Sequence, residues 1–126
     1  MAVESRRWSM DRRVQLVIQM IEDDIRRDFT LAEMARAVNL SPSHFYHLFK
    51  SETGMPPTRY VKLLRMRKAK ELLETTFMSV KEIVTLIGAH DGSHFVRDFK
   101  RHYNLTPTQY RRLLYANGSS ARTQAD

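Results

Sequence analysis

Apolar residues recur along the chain at helical rather than alternating spacing. Val14, Val17, Ile18, Ile21 and Ile25 lie on one face of a helix expected over residues 12–27. Leu31, Met34, Ala35 and Val38 repeat the spacing, as do Val80, Ile83, Val84 and Ile87. A long helix opens at Pro57 and runs to about Thr75, bearing Tyr60, Leu63, Leu64, Ala69, Leu72 and Leu73. Another opens at Thr106-Pro107 and is expected to end near Leu114, leaving residues 115–126, rich in Asn, Gly, Ser and Thr, as a flexible tail. No stretch has the period-two pattern of a strand, so the fold class is all-α.

Shifting the chain by fifty residues lays SHFYHLFKSETGMPPTRYVKLL (43–64) on SHFVRDFKRHYNLTPTQYRRLL (93–114), with ten of 22 positions identical. With one extra residue in the second copy, the alignment continues upstream into the two short apolar segments. The chain holds two copies of one unit. Each copy begins at an S/T-x-x-E box, Thr30 to Glu33 and Ser79 to Glu82, in which a hydroxyl and a carboxylate satisfy backbone N–H groups reciprocally. Asn39 and Gly88 then suit the left-handed turn that ends a helix. Ser41 and Asp91 are natural caps for a second helix, with Pro42 fitting its first position. The T-x-x-Q of Thr106 and Gln109 caps the closing helix in the same way. Helix, tight turn, helix is the helix-turn-helix pattern.

These elements divide the chain into an N-terminal segment (1–11), a supporting helix with the first module (12–56), a central linker helix (57–76), the second module with its closing helix (77–114) and the tail (115–126). Each lobe, at about 50 residues, is small for an independent core, so the two are expected to fold together.

In the second helix of each unit, Phe45, Leu48 and Phe49, and likewise Phe95 and Phe99, must point inward. The remaining stripe is Ser43, Tyr46, His47 and Lys50 in one copy and Ser93, Val96, Arg97 and Lys100 in the other. In a helix-turn-helix this stripe enters the major groove, its N-terminal residues meeting base edges. Arg97 can take guanine O6 and N7 bidentately, and Val96 can pack on a thymine methyl. Lys50, Lys100 and Arg101, farther along, suit phosphate contacts, as do His44 and His94, which share one repeat position.

Charge strengthens this picture. The protein carries a formal net charge of +7, and residues 57–114 hold twelve basic against five acidic side chains, whereas residues 1–56 balance at eight each. Such a surplus asks for an anionic partner. Arg59, Lys62, Arg65, Arg67, Lys68 and Lys70 surround the central helix, so for each a solvated role, or pairing with Glu71 or Glu74, is expected over a DNA contact. The protein has no cysteine, which removes disulfides, thiolate zinc sites and cysteine nucleophiles. His44 and His47 stand three apart with no carboxylate to complete a metal set, and no catalytic motif occurs, so neither metal, cofactor nor enzymatic activity is expected. The longest apolar run, Leu113 to Ala116, rules out a membrane span or signal core, and a cytoplasmic protein is expected.

Leu31–Thr53, RMRKAKELLETT (65–76), VKEIVTLIG (80–88) and SHFVRDFKRHYNLTPTQYRRLL (93–114) together resemble the DNA-binding domain of the AraC/XylS family, over roughly residues 12–114. The resemblance implies seven helices, with two helix-turn-helix modules joined by the long central helix. By position, the family's base-reading residues fall on Ser43, Tyr46 and His47 in the first module and on Gly92, Ser93, Val96 and Arg97 in the second. Two positions depart from the family pattern: Ala89 replaces a large apolar residue and Val84 an alanine. A central helix of 18 residues spans about 27 Å, on the scale of the ~34 Å between successive major grooves on one face of DNA. The expectation is therefore a sequence-specific transcriptional regulator binding double-stranded DNA as a monomer at an asymmetric site of about 20 base pairs. RNA polymerase is a further expected partner, and no small-molecule effector is expected for this chain. The initial Met and polar tail favour a stand-alone regulator. The alternative is a helical protein-interaction module that retains the fold without specific DNA binding.

Overall fold

The structure is a computed structural model that describes the backbone of residues 10–125 and the side chains of residues 10–117. Most of the N-terminal segment 1–11 therefore lies outside the described residues. Among those described, the chain forms seven helices and no strand: α1 (Arg12–Asp23), α2 (Leu31–Ala37), α3 (Pro42–Thr53), α4 (Pro57–Thr75), α5 (Val80–Leu86), α6 (Gly92–Tyr103) and α7 (Pro107–Ala125). It divides into two compact units, Met1–Leu64 and Arg65–Asp126, with the boundary inside the continuous helix α4.

Local chemistry sets the helix starts where the sequence places them. Both capping boxes form: Thr30 and Ser79 accept from the N–H groups of Glu33 and Glu82, whose carboxylates accept in return from the cap N–H groups. The third box pairs Thr106 with Gln109, the two N–H···O distances being 2.9 and 3.1 Å. Ser41 caps α3 and Asp91 caps α6. Asn39 and Gly88 take positive φ, as expected, and the same geometry closes α3 at Gly54 (φ 83°) and α6 at Asn104 (φ 67°), two stops at equivalent repeat positions.

Two boundaries correct the sequence expectation. Helix α1 ends at Asp23 rather than continuing to residue 27. Adjacent carboxylates at Asp23 and Asp24 stand at the negative end of the helix, with no basic residue in the last turn to offset them. Helix α7 does not stop near Leu114 but carries its backbone to Ala125. No proline follows Pro107, so no missing N–H interrupts the ladder, and the Asn-Gly-Ser-Ser stretch does not break it.

The first unit closes on Val14, Val17, Ile18 and Ile21 of α1, Met34 and Ala35 of α2, Phe45 and Phe49 of α3, and Leu64 of α4. The second closes on Ala69, Leu72 and Leu73 of α4, with Ile83, Ile87, Phe95 and Phe99. The repeat extends into ring packing. Phe49 lies 5.6 Å from Phe45 and 5.3 Å from Tyr60, while Phe99 lies 5.9 Å from Phe95 and 6.2 Å from Tyr110. The four buried phenylalanines dominate the energetics of these small cores, each worth about 3–5 kcal/mol against alanine. The two departing positions, Val84 and Ala89, both pack against the second core, partly buried.

The Arg111 guanidinium has no counterpart in the first unit, where Val61 holds that position. It donates to the carbonyls of Leu73, Leu72 and Thr76 at 3.4, 3.5 and 3.2 Å, and also to that of Met78. It thus closes the C-terminal end of α4 from α7, satisfying carbonyls that a helix end leaves open.

Candidate nucleic-acid interface

Because Phe45 and Phe49 are drawn into one core and Phe95 and Phe99 into the other, the opposite face of each helix turns to solvent. The burial pattern of residues 41–50 is the same, position for position, as that of residues 91–100. On α3, Ser43, His44, His47 and Lys50 are exposed and Tyr46 is half-buried. Tyr46 stacks edge-on against His47 at 5.6 Å. On α6, Gly92, Ser93, His94, Arg97, Lys100 and Arg101 are exposed. Val96 is half-buried and packs against the second core, so only part of its side chain faces outward. Leu48 is likewise half-buried, against the first core.

The two faces differ in charge. Lys50 is the basic residue of α3's last turn, whereas Lys100, Arg101 and His102 crowd that of α6, where they also complement the helix dipole. Gly92 has open space where a Cβ would stand, so packing within the unit does not require glycine there.

The N-terminal ends differ too. The Ser41 hydroxyl accepts from the N–H of His44 at 3.2 Å. At the equivalent end of α6, one Asp91 oxygen accepts from the N–H groups of Ser93 (2.9 Å) and His94 (3.2 Å). The other lies 2.9 Å from His94 Nδ1. The His94 N–H, above all, and the imidazole hold the Asp91 carboxyl below its ordinary value. His44 and His94 share a repeat position but not a partner. From the sequence Asp91 is legible only as a cap. The (i, i+3) spacing of Asp91 and His94 is the signal for the second contact.

On α4, Lys68 pairs with Glu71 at 3.5 Å and Lys70 with Glu74 at 3.4 Å, as anticipated. Lys70 also lies over the rings of Tyr103 and Tyr110, and the Tyr110 hydroxyl donates to Glu74. Glu74, chiefly, raises the Lys70 pKa. Arg59, Lys62 and Arg67 are exposed. Among the described residues no group of three His, Asp or Glu side chains could hold a metal ion, and no helix is long and apolar enough to cross a membrane.

Comparison with known proteins matches residues 34–113 to a family described as a helix-turn-helix domain. The transcriptional regulator MtrA of Neisseria gonorrhoeae is 33% identical over 102 residues, covering 81% of this chain and 34% of MtrA. The chain likewise spans only about a third of the length of other curated relatives it matches. Among solved structures, a Chromobacterium violaceum transcriptional regulator described as containing an AraC-type DNA-binding domain superposes with a TM-score of 0.75. It shares 28% identity, over 79% of this chain and 89% of that one. The DNA-binding domain of the global transcriptional factor AdpA, solved in complex with a target DNA, gives a TM-score of 0.77. It shares 25% identity, over 82% of this chain and 94% of that one.

Proposed function

The chain belongs to the AraC-type helix-turn-helix family of DNA-binding transcription regulators, and from that premise we propose that it binds duplex DNA through α3 and α6, each reading one of two successive major grooves. The observation that carries this reading is the duplicated exposure of the two helices, which offers the same stripe of positions to solvent twice. Ser43, Tyr46 and His47 on α3, with Gly92, Ser93, Val96 and Arg97 on α6, form the base-reading set. Arg97, exposed and long, supplies the most discriminating contact, a bidentate pair to guanine. Tyr46 and Val96, half-buried, offer ring edge and methyl surface rather than full side chains. Bare backbone at Gly92, required by no packing inside the unit, leaves room for DNA to approach closely.

His44, Lys50, His94, Lys100 and Arg101 contact phosphates and set register without carrying sequence information. Because α3 and α6 present different side chains, a monomer reads an asymmetric site. The AdpA domain's complex with a target DNA supports duplex DNA as the partner. The activity is regulatory rather than enzymatic, exercised in the cytoplasm, with RNA polymerase as the protein partner. The domain organisation follows the repeat: first module 12–56, linker helix 57–76 and second module 77–114.

Selection from a random duplex library tests the proposal. An enriched, non-palindromic motif of about 20 base pairs is expected. A palindrome would replace the monomer with a symmetric dimer. Absence of any enriched sequence would favour the interaction module.

A further inference from the structure

The recognition helix of the second unit carries a side-chain pair that the first lacks. Asp91 Oδ2 and His94 Nδ1 are 2.9 Å apart, both groups are more than half exposed, and both stand at the end of α6 that meets DNA. A neutral histidine facing a carboxylate in this way donates its Nδ1–H and turns Nε2 outward as an acceptor, which a phosphate oxygen cannot use. A protonated histidine donates from both nitrogens, one to Asp91 and one to phosphate. At the equivalent place in α3 the cap is Ser41, which brings no carboxylate to His44.

Other charges around the pair do not replace this arrangement. His90 precedes the cap, and Arg97 and Asp98 lie one turn further along α6. On α5, which packs against α6, Lys81 is exposed and Glu82 is held by its own capping box. On α7, Tyr110 and Arg111 are bound to Glu74 and to the carbonyls at the end of α4, and Arg112 is exposed. On α4, Lys70 and Glu74 pair with one another, Lys70 lies over Tyr103 at the far end of α6, and Arg67 is exposed.

We propose that Asp91 is a positioning residue which aims the Nε2 of His94 at a DNA phosphate, and that DNA binding by α6 is linked to protonation of His94. The imidazolium then stands between two anions, Asp91 and the phosphate, and each favours the charged ring. Asp91 remains ionised throughout the neutral range, since its carboxyl is already held below its ordinary value. By linkage, a ligand that prefers the protonated form binds more tightly as pH falls. The inference rests on the DNA-binding reading above.

The test is affinity for a duplex carrying the selected site, measured at constant ionic strength from pH 8 to pH 6. Wild type is expected to tighten about three- to ten-fold more than His94→Gln over that interval. The other four histidines contribute to both proteins and cancel. Asp91→Asn keeps a good cap and should keep the helix content by circular dichroism, while its pH profile moves to lower pH. Parallel profiles for wild type and His94→Gln would overturn the link to protonation of His94. An Asp91→Asn profile coincident with wild type would overturn the positioning role. Failure to bind any duplex at low salt would instead bring down the DNA-binding reading, and this inference with it.

Discussion

Arg97 and Arg111 have the same side chain in opposite settings. Arg97 is exposed on α6, in the second turn beyond the N-terminal cap, where a guanidinium is expected to reach a base edge. Arg97→Ala is expected to cost about 1–3 kcal/mol on the best site and to relax preference at one base pair, read from binding to singly substituted duplexes. Equal weakening on every sequence would make it a phosphate contact instead. Arg111 is half-buried and spends its donors on carbonyls at the end of α4 and just beyond it. Arg111→Ala should leave sequence preference intact and lower stability by about 1–3 kcal/mol in a denaturant titration, because charged donors are removed from part-buried acceptors. The exposed place of Arg97 is legible in the sequence from its position on the repeat. Arg111 has no such signal, because its partners lie 33 to 39 residues away and the first repeat carries valine there.

At the scale of the helices, four carboxylates do structural work at N-terminal ends. Asp11, capping α1, is held at about 2, first by the Arg13 guanidinium and also by its N–H. Glu33 and Glu82 lie below their ordinary values chiefly because the N–H groups of Thr30 and Ser79 bind them. Asp91 is lowered first by the N–H of His94. A carboxyl whose folded pKa is depressed contributes stability above its unfolded value, and that contribution disappears as pH falls through the folded value. The melting temperature, followed by circular dichroism, should therefore hold down to about pH 4.5 and decline steadily below it. Glu33→Gln with Glu82→Gln should flatten part of that decline, because a glutamine box does not titrate, as the Thr106–Gln109 box already illustrates. An unchanged acid profile in the double variant would show that these boxes are not its source. The caps were legible in the sequence because each closes within three residues. The early end of α1 was not, since apolar spacing runs on to Ile25 while the two aspartates oppose the helix dipole.

For the whole molecule, the basic surplus and the continuous helix α4 carry the expectations. With six to eight phosphates neutralised, log K should fall against log salt with a slope of roughly −5 to −7. A slope near zero in a titration on duplex DNA would remove the electrostatic basis of the interface. Helix α4 contributes Leu64 to the first core and Leu72 to the second. Leu72 is 9% exposed, so Leu72→Asp places a charge in the second core and should cost at least about 3 kcal/mol. If the two units fold together, as their small size suggests, the loss lowers one common transition in chemical denaturation followed by helix content. Two separated transitions in the unmutated protein would show independent folding instead.

What the sequence by itself determined is local or periodic: the duplicated unit, six of the seven helix starts by their caps or prolines and the other by its apolar face, and the identity of the two solvent stripes. These follow from hydrogen bonds closed within four residues and from a period of 3.6, both of which are properties of a short stretch of chain. Only the tertiary structure decided how much of each stripe is available. Val96 and Tyr46 are drawn partly inward while Arg97 and His47 remain free of the core. It also decided that Lys70 lies over two tyrosine rings and that Arg111 is committed to the end of α4. The reason is physical: a side chain's exposure and partners depend on which distant helix is packed beside it, and the amphipathic pattern of its own helix records the direction of burial but not its depth.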